Sequence, residues 1–428
     1  MSEAFDQDLD GDSPLDKTRS PQAILTALAL GALVLGALSG LGMSLHYVPT
    51  PEGAHGSIRS IHDEIPGGAW IRSAHIWSMH TAVFATLSAI IATLFRGSFR
   101  AGGRFNWWSA LALFGVTCAL GLTGELLPWS RQAVTATEVR TGLVEQTPVL
   151  GQTIHRSVLG APEISAPTLT RFHVLHTQLL PLLLIAVVTW RLRALRRLAP
   201  AKPRPSVFEA TTFFLGCAFI GWRAIQGPEP TVGFVHVDGE AAFEARPEWH
   251  FLWLNGLIER VPGSLATAAG VYFPSLLALA LVALPFLDRS RAKRMPHLAV
   301  LVSASLLGIV IVGLSAAQAM ELEAPEPTIR SSVEWDDELR LGYQLVRREG
   351  CIECHVHEQD GVSLGDPEDE DWPTLIDLAD ADVDGIQETL LFPPDDMPAY
   401  PHLSTEEQLA IGRFLVQLEK DQRAARSR

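Results

Sequence analysis

Five consecutive residues in the last quarter of the chain, with the sequence CIECH, form a C-x-x-C-H pattern. This pattern is typical of covalent haem attachment, in which two cysteine thiols form thioethers with the porphyrin and the histidine is an axial ligand of the iron. The residues are Cys351, Cys354 and His355. A zinc or redox C-x-x-C site is the alternative, but it lacks a second ligand pair. The pattern therefore predicts one haem c.

The second axial ligand of this haem is predicted to be Met397, which follows His355 by 42 residues. A helix-like run, 336–348, precedes the cysteines, and an amphipathic run, 405–418, ends the region. This order resembles a small class I cytochrome c. The alternatives to the methionine are His357 and His402.

Two histidines, His75 and His176, lie inside long apolar stretches, where ionisable side chains are costly and point to function. With 1.5 Å of rise per residue, the two are expected at a similar depth near one membrane face. An iron porphyrin held between two helices needs one imidazole from each at the same level. His80 and His173 are displaced from that level in opposite directions, so they cannot share one.

Two glycines, Gly40 and Gly124, lie at this depth on the two stretches that would flank the porphyrin. Glycine lets a helix backbone approach a flat ring closely. The alternative is that they are ordinary small residues at helix contacts and that serine or backbone groups satisfy the histidines. The pattern predicts a non-covalent haem b with His75 and His176 as its axial ligands.

The chain has 428 residues, of which 47% are hydrophobic and only 19% are charged, and its mean hydropathy is +0.18. These values predict a membrane protein. Its net charge of -15 argues against a nucleic-acid partner. Seven apolar stretches predict seven transmembrane helices and an all-α fold. They are Ala23–Leu45, Trp70–Phe95, Trp107–Leu127, Leu169–Trp190, Phe208–Ile225, Phe273–Leu287 and His297–Ala319.

Basic residues follow the second, fourth and sixth stretches, at 96–104, 191–204 and 289–294. By the positive-inside rule these loops and the N-terminus are cytoplasmic, so seven spans place the C-terminal region in the periplasm. That region, from residue 321, carries 27 acidic and 9 basic side chains. The predicted divisions are an acidic tail (1–20), a four-helix haem b domain (21–196), a three-helix domain (205–319) and a cytochrome c domain (335–420).

Several segments together resemble cytochrome b, and more closely its shorter b6 form. In the haem-bearing half these are GAWIRSAHIWSMH from Gly68, GLTGELLPWS from Gly121, TPVLG from Thr147 and TLTRFHVLHT from Thr168. RPEWHFLW from Arg246 and FPSLLALALVALPFLDR from Phe273 resemble the second part of cytochrome b, or subunit IV of b6f complexes. The resemblance covers about residues 25 to 315.

This resemblance implies an outer quinol-oxidising pocket at the segment Pro247, Glu248, Trp249 and His250. The family has Pro-Glu-Trp-Tyr here, and its carboxylate accepts a proton from the quinol. Glu248 is then the catalytic base, and His250 in place of tyrosine is a candidate exit relay. The alternative is that Glu248 is only a loop carboxylate.

Two further positions in the haem-bearing half match the family. Gly142, with the TPVLG run, would form the opposite wall of the quinol pocket. Arg72, one turn before His75, matches the arginine that pairs with a haem propionate.

The sequence departs from the family at the inner haem. The family has two histidines on each haem helix, 14 or 15 residues apart. A step of 14 residues is only about 40° short of four full turns, so both histidines would face the same groove. Here these steps lead to Ala89 and Arg191. Thr26 and Ala110 stand at the two positions of that level where the family has glycines. We therefore predict one haem b and no inner haem b. A gap of about 21 Å without a carrier would make a conventional Q-cycle doubtful.

The resemblance implies a quinol-oxidising subunit of a bc-type complex in a bacterial inner membrane, assembled as a homodimer. The chain has no ligands for an iron-sulfur cluster, so a separate Rieske protein would take one electron and a soluble cytochrome c or terminal oxidase would follow haem c. One alternative is a scaffold that anchors the cytochrome c domain and docks a Rieske protein without oxidising quinol. Another is an electron-transfer anchor for an unrelated periplasmic dehydrogenase.

Overall fold

The computed structural model describes most of the chain, and its described residues form two compact units. The first contains the apolar helices, and the second contains the residues after Met320. The described residues are 21–99, 103–198, 207–227, 236, 248–287, 298–322, 336–349, 351, 355, 357–359, 362–364, 382–393, 400 and 403–426.

In the described part of the chain before residue 323 the main elements are α-helices. In chain order they are α1 (Pro21–Ser44), α2 (Pro51–Asp63), α3 (Gly68–Phe95), α4 (Arg104–Glu125), α5 (Arg131–Glu145), α6 (Gly151–Leu159), α7 (Ala166–Val174), α8 (Leu180–Leu198), α9 (Val207–Gln226), α10 (Leu252–Glu259), α11 (Phe273–Leu287) and α12 (Leu298–Leu322). A π-helical turn, Leu175–Leu179, makes α7 and α8 one continuous rod.

Six helical segments in the described residues are long and apolar enough to cross a membrane. The protein is a multi-pass all-α membrane protein, which confirms the predicted fold class. The six are Pro21–Ser44, Gly68–Phe95, Arg104–Glu125, Ala166–Arg197, Gly263–Leu287 and Val302–Ala319.

The fifth predicted span forms helix α9 but is not one of these six. α9 carries Glu209 in its first turn and Arg223 in its last turn. It packs against α1 and α3. At its middle, the Cys217 thiol lies 3.5 Å from the carbonyl oxygen of Gly31, and near its end the Trp70 indole donates to the carbonyl of Gly221 at 3.2 Å.

The core of the first unit is a four-helix bundle in which α1 packs on α3, α4 packs on α8, and α3 packs on α4. Small side chains fill the contacts, and Ala32, Ala74 and Ala85 are fully buried. Membrane helices associate through such small residues because lipid provides no hydrophobic drive for larger ones. The close contacts fix the rotation of α3, which carries His75, and of the rod formed by α7, the π-helical turn and α8, which carries His176.

Helix α11 docks on α4 through two indole hydrogen bonds. Trp107 donates to the carbonyl of Leu281 at 2.7 Å, and Trp108 donates to that of Val282 at 3.0 Å. A buried indole N–H needs an acceptor, and Pro285 removes one amide donor from the interior of α11.

The second unit contains helices α13 (Asp337–Arg348), α14 (Val383–Leu391) and α15 (Thr405–Arg426). A short antiparallel hairpin, β1 (His357–Gln359) and β2 (Val362–Leu364), departs from the purely helical prediction. α13 and α15 pack on each other, with Tyr343 and Phe414 in ring contact at 5.6 Å. The predicted domain limits stay predictions.

Candidate haem and quinol sites

His75 of α3 and His176 of the π-helical turn face each other inside the four-helix bundle. Their ring centroids are 6.0 Å apart, and their planes are inclined at 72°. A metal held by two imidazole nitrogens, at about 2 Å from each, leaves roughly 6 Å between ring centroids. The two rings therefore fit the space that an iron with two axial imidazoles requires.

Each imidazole is oriented by the backbone of a neighbouring helix. His75 Nδ1 lies 2.9 Å from the carbonyl oxygen of Gly36, and His176 Nδ1 lies 3.0 Å from that of Leu120. A carbonyl only accepts, so each Nδ1 carries the proton and donates it. Each Nε2 then has a free lone pair, which is the tautomer that a metal ligand needs.

Gly40 and Gly124 leave the room for these rings. A Cβ atom on Gly40 would lie 2.8 Å from Cε1 of His75, and one on Gly124 would lie 2.6 Å from Cε1 of His176. Both distances are well below carbon–carbon contact, so any larger residue would displace the ring. Glycine at these positions is required by the close approach of helix and imidazole.

Arg72 lies three residues before His75 on α3, and only 5% of its surface is exposed. Its position one turn along the helix, on the side of the chain connection to α2, is the one predicted for pairing with a haem propionate. That role stays a prediction.

Four residues stand where the family has the histidines and glycines of its inner haem, and these four residues lie close together in space. Thr26, Ala89, Ala110 and Arg191 line one small void between α1, α3, α4 and α8. The void is too small to admit a water molecule. The absence of a second haem at this level stays a prediction.

Arg191 closes this level of the bundle with a hydrogen-bond network. It is 1% exposed and donates to the Asn106 carbonyl at 2.8 Å, to the Asn106 side-chain oxygen at 2.5 Å and to the Thr26 hydroxyl at 3.3 Å. All of these acceptors are neutral. An imidazole ligand is replaced here by a group that only donates hydrogen bonds and does not release its proton.

A second cluster lies where residues 248–251 contact α3. The indole of Trp249 donates to Nδ1 of His80 at 3.1 Å, and a carboxylate oxygen of Glu248 lies 3.8 Å from the same nitrogen. The sequence indicates only that His80 lies off the level of the predicted haem ligands, and it predicts no other role for this residue. Five residues beyond His75 on a helix is a rotation of about 140°, so His80 faces away from the haem site and toward this cluster.

Glu248 has an environment suited to a base. Burial, with a smaller contribution from the nearby Glu125 and against the opposite effect of Arg140, raises the pKa of this carboxyl to about 7. Arg140 is itself bound to Glu125, with a 2.8 Å ion pair. Glu248 therefore changes protonation near neutral pH, as a group that accepts and releases protons must.

His250 lies beside this cluster, with its ring centroid 4.4 Å from that of Phe251. Both of its ring nitrogens are buried without a hydrogen-bond partner. Burial, with smaller effects of His80 and Arg140, lowers its pKa to about 4, so it is neutral at pH 7. The exit-relay role predicted for it stays a prediction.

Gly142, the predicted opposite wall, lies on α5 two residues after Arg140. A Cβ atom there would meet no atom within 4 Å, so open space adjoins the helix. Arg140 lies 5.9 Å from the ring of Phe251, which places this part of α5 beside the Glu248 segment. Pro247 lies outside the described residues.

In the C-terminal unit, Cys351 and His355 are both buried, at 8% and 5% exposure. The amide of His355 donates to the carbonyl of Cys351 at 2.8 Å, as in a helical turn, so both side chains emerge close together. Cys351 is part of a core that includes Leu345, Tyr400 and Phe414. Cys354, Met397 and the alternative ligand His402 lie outside the described residues.

Two imidazoles from different helices, each with an unprotonated Nε2 and each backed by a glycine, form a pair that could hold a haem iron in a membrane bundle. The family model for cytochrome b/b6/petB matches residues 20–199. The chain is 32% identical over 161 residues to cytochrome b6 of Heliobacterium mobile, covering 38% of this chain and 76% of that protein. The chain belongs to the cytochrome b/b6 family, which binds haem b.

Two further similarities extend this result. The chain is 31% identical over 156 residues to the menaquinol:cytochrome c reductase cytochrome b subunit of Bacillus subtilis, covering 36% of this chain and 70% of that protein. A solved chain from a hyperthermophilic respiratory Complex III matches with a TM-score of 0.60 and 21% identity, covering 72% of this chain and 85% of that chain. The likeness in fold therefore extends beyond the region matched in sequence.

Proposed function

We propose that this chain is the quinol-oxidising cytochrome b subunit of a bc-type quinol:cytochrome c reductase. The observation that carries the proposal is the position of Glu248, a carboxylate with a pKa of about 7, against the same helix that carries His75. Quinol oxidation requires a proton acceptor and an electron acceptor close to each other. Here Glu248 lies against the helix that carries the predicted haem ligand. The named functions of the Bacillus subtilis protein and the Complex III chain support it.

One haem b is bound by His75 and His176, and when bound it supplies a one-electron acceptor. Gly40 and Gly124 give it room, and Arg72 pairs with a propionate. The carboxylate of Glu248 takes a proton from a quinol hydroxyl and becomes the neutral acid.

The quinol pocket lies between the Glu248 segment and α5. Trp249 forms the side next to α3, and Gly142 forms the other side, where open space adjoins the helix. Pro247 belongs to the same pocket by its place in the sequence. His250 is neutral at pH 7 and is part of the wall with Phe251.

A conventional Q-cycle is not part of this proposal, which has no inner haem. The hydrogen bonds between Arg191 and Asn106, at the level where the family has its inner haem ligands, support this part of the proposal. The second quinol electron leaves by another route on the outer side, or a partner subunit supplies the missing centre.

The C-terminal unit carries one covalent haem c, attached through Cys351 and Cys354, with His355 and Met397 as axial ligands. The burial of Cys351 and His355 in one turn supports this assignment. Electrons pass from a separate Rieske protein and haem c to a soluble cytochrome c or terminal oxidase.

The proposed complex is a homodimer in a bacterial inner membrane. Helix α9 crosses the membrane as a seventh span, because it packs lengthwise beside α1 and α3 and its 20 residues reach about 30 Å. With seven spans the N-terminus is cytoplasmic and the haem c domain is periplasmic. The domain limits are those predicted from sequence, 1–20, 21–196, 205–319 and 335–420.

The test is Glu248→Gln, which keeps the size of the side chain and removes its basicity. We expect quinol-dependent reduction of a soluble cytochrome c by the purified complex to be abolished, while haem b and haem c contents stay unchanged. Glu259→Gln, an exposed glutamate at the end of α10, is the matched control and keeps the full rate.

The two alternatives give different results. A scaffold that only docks a Rieske protein would show no change in Glu248→Gln. An anchor for an unrelated dehydrogenase would copurify with that enzyme and without a Rieske protein. Either outcome would overturn the proposal.

A further inference from the structure

The polar groups around Glu248 include one that the family resemblance does not assign. His80 projects from α3 toward the Glu248 segment, and its side chain is 22% exposed. Its Nδ1 is the nitrogen nearest this segment, 3.1 Å from the Trp249 indole nitrogen and 3.8 Å from a carboxylate oxygen of Glu248. His80 therefore contacts the residue that would take the proton from quinol.

We infer that His80 accepts protons from Glu248 in the quinol site. The proton that Glu248 takes from quinol passes on to His80. This inference rests on the proposed function of Glu248. His80 acts at the reacting carboxyl group, and Trp249 is a positioning residue for its ring.

The hydrogen bond from Trp249 fixes the starting state of His80. An indole N–H only donates, so Nδ1 of His80 has its lone pair directed at the segment and Nε2 carries the proton. A neutral imidazole in this tautomer is a base on the side that faces Glu248.

The proton balance has two steps. A quinol hydroxyl gives its proton to the Glu248 carboxylate, and the resulting acid then gives that proton to Nδ1 of His80. The second step produces a carboxylate beside an imidazolium, whose charges attract each other. The imidazolium releases its Nε2 proton to water, which leaves the transferred proton on Nδ1. Exchange of the ring protons with water then returns the proton to Nε2 and frees Nδ1, so both Glu248 and His80 are again bases for the next quinol.

The distances permit this transfer without rearrangement of the helices. Nδ1 and the carboxylate oxygen must approach from 3.8 Å to the range of about 2.6–3.2 Å in which protons are transferred. A movement of about 1 Å by a side chain at the end of a loop is sufficient. The acid form of Glu248 then replaces the Trp249 indole as the donor to Nδ1.

The surrounding charges favour His80 over His250 as the acceptor. Arg140 is already paired with Glu125, so it does not hold Glu248 as an ion pair. His250, the other imidazole nearby, has a pKa of about 4, and transfer to it from Glu248 is uphill by about three units. His80 also contacts the ring of Trp77. The guanidinium of Arg223, on α9, lies 4.2 Å from the centre of that Trp77 ring.

The test is His80→Asn in the purified complex, because the asparagine oxygen keeps an acceptor for Trp249 but cannot carry a proton. The donors are decylubiquinol and menaquinol-4, of which the faster is used. We expect kcat to fall about a hundred-fold, at the lower end of general-base effects, with KM within about two-fold of the wild-type value. The solvent deuterium isotope effect on kcat should rise, since proton release now limits turnover.

Two controls separate a proton-transfer role from a structural one. His46→Asn changes an exposed histidine between α1 and α2 and should keep the wild-type rate. Trp249→Phe removes the donor to Nδ1 but leaves His80 in place, so it should lower kcat less than His80→Asn does.

The outcomes are distinct for the inference and for the proposed function. A wild-type rate in Glu248→Gln overturns both. An inactive Glu248→Gln with a His80→Asn rate within two-fold of wild type overturns the inference alone. A fall in kcat that matches a loss of haem b absorbance, or an unchanged isotope effect, assigns His80 a structural role and also overturns the inference.

Discussion

Replacing Gly124 by alanine tests the haem b site, because two physical effects of this change have opposite signs. Alanine is better than glycine by about 1 kcal/mol in a helix interior, and Gly124, the last residue but one of α4, receives part of this gain. The added Cβ, however, would lie 2.6 Å from Cε1 of His176. Carbon atoms in contact prefer about 3.5–4.0 Å, so the ring must move by about 1 Å.

A movement of this size is large for a metal ligand. Distances from metals to their ligands hold to about 0.2 Å, so the displacement is about five times the tolerance. We expect Gly124→Ala to lose most of its haem b while the chain stays folded and keeps its haem c. The assay is the haem b to haem c ratio from pyridine haemochrome spectra of the purified protein.

The matched control is Gly115→Ala on the same helix. A Cβ atom at Gly115 would meet no atom within 4 Å, so this variant receives the full gain in helix propensity without the steric contact. It should keep its full haem b content. If Gly124→Ala and Gly115→Ala bind the same amount of haem b, the assignment of Gly124 to the haem site is wrong.

The remaining predictions concern stoichiometry, acid–base chemistry and stability. The wild-type protein should contain haem b and haem c in a one-to-one ratio, and Cys351→Ala should lose the covalent haem seen by peroxidase staining of a denaturing gel; a two-to-one ratio would contradict the closed inner site. The quinol oxidation rate should rise between pH 6 and pH 8, because Glu248 must be ionised to accept a proton and its pKa is about 7; a flat profile would contradict its role as base. Asn106→Leu should lower the free energy of unfolding by about 1–3 kcal/mol, since it leaves Arg191 short of acceptors in the bundle interior. Ser109→Ala should lower it less, because the hydrogen bond from Arg191 to Ser109 is 3.4 Å long. Thermal unfolding in detergent compares the two variants.

Sequence alone could predict the features that depend on regular helical geometry. Hydropathy placed six of the membrane segments, and the fold class and the family are confirmed. The level shared by His75 and His176 follows from counting residues at 1.5 Å each. Helix periodicity also predicted that Thr26 and Arg191 belong to one level, and both line the same void.

The features that sequence could not predict depend on contacts between distant segments. His80 and Trp249 are 169 residues apart, and a loop rather than a regular element carries the indole. The sequence gives no sign that Asn106 binds Arg191, because an asparagine near a helix start is usually only a cap. Helix α9 combines charged ends with an apolar middle, so hydropathy alone does not decide whether it spans the membrane.

The main-chain acceptors of His75 and His176 have a consequence for how the site tolerates sequence change. No substitution removes the carbonyl of Gly36 or Leu120, so the tautomers of both histidines are encoded by helix register and not by the identity of a side chain. Deleting one residue between Gly36 and Gly40 would instead rotate Gly40 by about 100° relative to Gly36, so the acceptor and the ring clearance could no longer both face His75. The site should therefore tolerate a change of side chain at Leu120 better than a single-residue insertion or deletion in α1 or α4, whereas a Cβ atom at Gly36 would lie 3.2 Å from that of Ser78.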